Sequence, residues 1–174
     1  MKQQLIVTIL GTDQVGILSA LSNTMSESGC NILDSRQAIY GHDLCLTMII
    51  EGEHAAITRA ELNLPAVCQK FDLLSIMKRT REHHRQDLTR LANVEFVGLD
   101  AIGIIHKVTN FFVSHNIAVS AFRQHTFTEK STQAKMLKVK MVISLPDTAD
   151  AEAIVKWFSA YLDELELIGT ITLH

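Results

Sequence analysis

Gly11, Asp13 and Gly16 fall in one short turn, LGTDQVG, where an apolar β-like run, LIVTI, gives way to the helical spacing of ILSAL. Three kinds of chemistry suit such a turn. A glycine-rich loop cradles phosphate with backbone N–H groups. An aspartate at a helix start caps the free N–H groups of the first turn. A helix N-terminus beside a carboxylate can also hold an α-amino acid, its dipole attracting the ligand's carboxylate and the aspartate its ammonium.

The phosphate reading fails on residue type. A dinucleotide fingerprint needs a middle glycine and an acidic residue about 20 positions on, in a parallel unit. Asp13 stands where that glycine would be and would repel a pyrophosphate, and no Gly-Lys-Ser/Thr follows. Capping by Asp13 accounts for the aspartate with the least machinery. The amino-acid reading is compatible with it, since glycines let backbone approach a small ligand closely.

The turn occurs twice. Gly98, Asp100 and Gly103 repeat the spacing in VGLDAIGIIHKV, and Asp100 is expected to cap in the same way. In constant register, Val7, Ile17, Asn23, Arg36 and Gln37 meet identical Val94, Ile104, Asn110, Arg123 and Gln124, while Leu21 meets Val108 and Met25 meets Phe112. A repeat of this length means two copies of one fold.

Elements that must position the turn follow in the same order in each copy. A β-rich run (QLIVTIL; NVEFVGL) leads to a helix whose apolar residues, Leu18, Leu21 and Met25, step by three and four. Gly29 and, in its place, Asn116 tolerate the left-handed conformation that ends a helix. Two strands follow (NILDSRQAIY and LCLTMIIEG; IAVSAFRQHTF and MLKVKMVISLP), with a longer turn, TEKSTQ, in the second copy. A second helix is expected over roughly 54–70 and 148–162, broken or kinked at Pro65. Each copy closes on a strand, DLLSIMKRT or LELIGTITL.

The order βαββαβ gives an α+β, ferredoxin-like unit: a four-stranded antiparallel sheet with both helices on one face. The expected domains are 1–80 and 91–174, joined by a charged linker at 81–90. So small a unit buries little surface. Its bare sheet face or open edge is expected to find a neighbour, in the other copy or in a homodimer. Arg36 and Arg123, at matching strand positions, are expected at the interface between the copies.

Composition bounds the rest. The chain has 174 residues, 47% hydrophobic and 20% charged, the balance of a globular protein. No apolar run approaches the roughly 18 residues of a membrane helix. The N-terminus lacks a small-residue cleavage site, and Cys30, Cys45 and Cys68 form neither a disulfide framework nor a zinc spacing; a reducing cytoplasm is expected. His83 and His84 read as solvated rather than metal-binding, and His106 and Asn110 as surface positions. No metal or cofactor is expected. With net charge −3, and Lys78, Arg79, Arg81, Arg85 and Arg90 interrupted by Glu82 and Asp87, direct DNA binding is not expected.

A βαββαβ unit with Gly-x-Asp-x-x-Gly at its first strand–helix turn resembles the ACT domain, a sensor of small molecules, usually amino acids. The tandem layout, with GCNILDSR and DLLSIMKRT, resembles the ACT family that represses glycine cleavage genes. That resemblance implies a non-enzymatic regulator, glycine as the amino acid, and a LysR-type activator protein as partner. It implies a ligand site at Gly11, Asp13, Gln14, Val15, Gly16, Ile17 and Asn31, and a second at Gly98, Asp100, Ala101, Ile102 and Gly103. Asn31, expected beside the loop, becomes Ala118 in the second copy, and Val15 and Ile102 stand where members often carry proline. Alternatives are a direct DNA-binding regulator or an acylphosphatase-type enzyme of the same fold class; the loop also resembles the sensory segment of formyltetrahydrofolate deformylases.

Overall fold

The computed structural model describes residues 2–80 and 90–173 as two compact units. In the first, β1 (Lys2–Thr12), α1 (Ile17–Ser28), β2 (Asn31–Tyr40), β3 (Asp43–Glu53), α2 (His54–Lys70) and β4 (Leu74–Thr80) follow one another. The second repeats the series as β5 (Leu91–Leu99), α3 (Ile104–Ser114), β6 (Ala118–Thr128), β7 (Lys135–Ser144), α4 (Ala151–Glu164) and β8 (Ile168–Leu173). Each sheet is antiparallel, ordered β2-β3-β1-β4 and β6-β7-β5-β8. The expected fold class holds in both copies.

Strand alternation decides which face is covered. Leu5, Val7 and Ile9 of β1 are buried with Leu44, Leu46, Met48 and Ile50 of β3 under Leu21, Met25, Ile57 and Leu64 of the helices. In the second unit Val94, Phe96, Leu137, Val139, Met141 and Ile143 take those places under Val108, Phe112, Phe158 and Leu162. Small residues, Ala56 and Ala60, face the core from α2. Aromatic rings fill the second unit instead, with Phe112 and Phe158 stacked at 5.0 Å. Both outer strands opposite the helix crossovers, β2 and β6, carry a one-residue bulge at matching places, Leu33 and Ser120.

The helix stops behave as expected. Gly29 (φ 80°) closes α1 with its N–H directed to the Met25 and Ser26 carbonyls, and Asn116 (φ 57°) stands just past α3. Arg59 of α2 adds a second closure, its Nε and Nη2 donating to the Ser28 carbonyl at 3.2 and 2.9 Å.

Two expectations about helices are corrected. Helix α2 runs unbroken through Pro65. Pro65 lies on the exposed side while Leu64 and Cys68 are buried, so packing holds the helix across the missing N–H. Nor do Asp13 and Asp100 cap α1 and α3. The cap positions are Gly16 and Gly103, without a side-chain hydrogen bond, because the turn runs three residues further before the helix begins.

Arg90, at the end of the charged stretch, is tied to the second unit. Its Nη1 donates to the Pro146 and Asp147 carbonyls and its Nη2 to that of Ala149. His83, His84, Arg81, Arg85, Glu82 and Asp87 lie outside the described residues. His106 and Asn110 are exposed on α3.

Candidate functional site

The two glycine turns have one geometry. Strand β1 stays paired to β3 as far as Gly11 and Thr12, opposite Leu44 and Asp43, and the Asp13 N–H donates to the His42 carbonyl at 2.8 Å. In the second unit the Asp100 N–H donates to the Lys135 carbonyl at 2.9 Å. The chain then crosses to the helix through Gln14 and Val15, or Ala101 and Ile102. Gly16 (φ 95°) and Gly103 (φ 87°) turn it in the left-handed region that glycine enters without strain.

The glycines have two different jobs. A Cβ on Gly16 or Gly103 would meet nothing within 4 Å, so conformation alone selects glycine there. Gly11 and Gly98 are selected by contact. A Cβ on Gly11 would stand 2.7 Å from Leu73 Cδ2, and one on Gly98 would run into Leu167 Cδ2. Leu73 and Leu167 follow the left-handed Asp72 and Glu166 after α2 and α4, so the turn behind the second helix is seated against the glycine loop.

Around each turn the helix N-terminus is open. Neither α1 nor α3 has an acidic residue in its first turn or a capping side chain, which leaves first-turn N–H groups and the positive end of the dipole for an anion. Asp13 and Asp100 stand exposed before it. Thr126 Oγ1 reaches Asp100 Oδ2 at 3.5 Å, and Gln14 Nε2 donates to the Phe71 carbonyl at 3.1 Å, so Gln14 braces the loop. Ile17 and Ile104 are core residues and offer a ligand only their backbone.

Val15 and Ile102, at the turn tips, are fully exposed, with half-exposed Leu18 and Leu10 near the first and Leu99 before the second. The repeated placement of a bare β-branched side chain was visible in the sequence, but the exposure was not.

Asn31 is not beside its own loop. It pairs with Glu51, which pairs with Gln4, whereas Gly11 pairs with Leu44 at the other end of the sheet. Seven residues of strand, about 23 Å at ~3.3 Å each, separate the two positions. The cause is direction. Helix α1 starts at the loop and runs back along the sheet, so β2 begins at the far end and returns parallel to β1.

Arg36 and Arg123 lie on the uncovered faces of their sheets, opposite Thr47 and Lys140. Arg36 has a long ion pair with Asp34 (Nε to Oδ2, 3.9 Å).

The ACT domain family model matches residues 3–78. Over 167 residues the chain is 32% identical to the glycine cleavage system transcriptional repressor of Escherichia coli (strain K12), covering 96% of this chain and 88% of that one. The chain belongs to this family of ACT-domain repressors. A crystal structure of a protein assigned as a glycine cleavage system transcriptional repressor superposes with a TM-score of 0.76 at 29% identity, covering 100% of this chain and 98% of that one. A protein of Galdieria sulphuraria shares the fold, with a TM-score of 0.78 at 17% identity and coverage of 100% and 99%. Family membership gives the chain a regulatory role. Among the described residues no helix is long and apolar enough to cross a membrane, and no three His, Cys, Asp or Glu side chains converge as a metal site would require.

Proposed function

We propose that the chain is a cytoplasmic, non-enzymatic regulator that senses glycine at its two turns and represses glycine cleavage genes through a DNA-bound activator of LysR type. The observation that carries this reading is the uncapped helix N-terminus behind a left-handed glycine, found in both units with an aspartate before it. The free N–H groups suit a ligand carboxylate and the aspartate suits its ammonium. Glycine, having no side chain, asks for no pocket beyond these two contacts.

The exposed Val15 and Ile102 support a site completed by a neighbouring surface, since apolar tips beside a polar cradle are what an interface would cover. Repression works through protein contact because base readout needs a helix or ribbon fitted to a groove and clustered basic residues, and the chain has net charge −3. A glycine-dependent switch then requires glycine to favour one of two states of the regulator.

Calorimetric titration with each of the twenty amino acids tests the sensor. Glycine should bind, and the folded Asp13→Ala, Asp100→Ala double variant should lose binding; unchanged binding in that variant rejects the loop site. A gel shift tests the mode of repression. The protein alone should leave operator DNA unshifted at physiological salt, and with the activator it should form a joint complex that glycine weakens.

A further inference from the structure

The uncovered sheet face of each unit carries a depression in the same place. In the first it is about 290 Å³ and is lined by Ile6, Asp34, Arg36, Thr47 and Ile49. In the second it is about 270 Å³, and the same strand positions hold Asn93, Ala121, Arg123, Lys140 and Val142, with Glu95 beside them. The repeat keeps the arginine and changes its surroundings.

In the first unit Asp34 occupies the strand position two before Arg36 and pairs with it. In the second, that position is Ala121. Among the described residues no carboxylate lies within ion-pair distance of Arg123. Instead Arg123 stands directly across the strand pair from Lys140. Like charges opposite one another destabilise a sheet. Glu95 relieves only one of them, holding Lys140 Nζ at 2.7 Å. Arg123, Lys138 and Lys140 thus outnumber the single carboxylate of this face, Glu95, and Arg123 is exposed with its planar fork uncommitted.

We propose that the depression on the second unit's sheet face is a binding site for a small dicarboxylate, separate from the glycine turns. Arg123 would hold one carboxylate through its paired N–H groups, a geometry a guanidinium offers and an ammonium does not. The lysines on β7 would draw the second carboxylate. At about 270 Å³ the depression is roomier than a simple counter-ion needs and suits an organic acid of a few carbons. The first unit is less suited to an anion, because Asp34 places a carboxylate 3.9 Å from Arg36 Nε and Thr47 replaces the lysine.

The experiment is a titration of the full chain with succinate at constant ionic strength, followed by the Arg123 Nε–H NMR signal and by calorimetry. Saturable shifts at Arg123, Ala121 and Lys140 are expected, with none from neutral succinamide. Ala121→Asp, which recreates the first unit's ion pair, and Arg123→Gln should each weaken binding roughly tenfold or more. Both positions are exposed on an outer strand, and an unchanged thermal midpoint checks that the variants fold. The Asp13→Ala, Asp100→Ala variant should bind succinate as the parent does. Non-saturable shifts, equal binding of succinamide, full affinity in Ala121→Asp or Arg123→Gln, or loss of succinate binding in the loop variant would each overturn the proposal.

Discussion

Leu73 lies so close to Gly11 that a methyl group there would stand 2.7 Å from Leu73 Cδ2 and 3.1 Å from the Asp72 carbonyl oxygen. The glycine turn is therefore built on the α2–β4 connection as well as on its own strand and helix. Gly11→Ala should destabilise the first unit by about 1–3 kcal/mol through overpacking. Hydrogen exchange should register the loss over residues 2–80. Undiminished protection of β1 and β4 would refute the overpacking.

Gly16 makes the opposite prediction, because the space around it is empty. Gly16→Ala should cost about 1–2 kcal/mol from the left-handed backbone alone. Gly16→Asn should recover part of it, since asparagine tolerates that region. Unfolding midpoints in urea that rank glycine above asparagine above alanine would bear this out; alanine matching glycine would refute it.

Acid should weaken the first unit in a defined direction. Arg79 grips Glu61 with Nε to Oε1 at 2.8 Å and Nη2 to Oε2 at 2.6 Å, and also reaches Gln3, His54 and Thr58. Hydrogen bonding from Arg79 holds the Glu61 carboxyl below its usual value, as Lys2 does for Glu51 and Lys140 for Glu95. A carboxylate whose pKa is depressed by folding contributes stability above its unfolded value, about 4.3, and loses it as pH falls through the folded one. Thermal midpoints should thus fall below about pH 5, and the fall should be shallower in Arg79→Gln. The pairs lie at the surface with their carboxylates only partly covered, so added salt should reduce the difference.

The three cysteines should separate by reactivity. Burial raises the thiol pKa of Cys30 and Cys68, whereas Cys45 is half-buried on the uncovered sheet face. A thiol reagent at mildly alkaline pH should find one fast site, and Cys45→Ser should remove it. Three fast thiols in the native protein would contradict the packing of the first core.

Much of this molecule was legible in the sequence because its signals are local or periodic. Alternation in Leu137, Val139, Met141 and Ile143 marks a covered strand face whatever covers it, and Gly29 ends a helix by its own conformational freedom. The repeat doubled every such signal, which is why element order and fold class could be read before any coordinate. Sequence neighbours also located the glycine turns, since a strand running into a helix must turn somewhere.

Tertiary structure decided what depends on register and direction. Asp13 looked like a cap because it precedes a helix; hydrogen bonding to His42 extends the hairpin, and Gly16 becomes the cap instead. Asn31 looked near the loop, but a helix returning along the sheet carries it to the other end. The contact of Gly11 with Leu73 joins residues far apart in sequence, and no local pattern encodes it. Nor could the chain alone reveal that Arg123 faces Lys140, since cross-strand pairs exist only once hydrogen-bond register is fixed. Periodicity and turn chemistry act over a few residues and survive in the sequence; proximity across strands is created by folding.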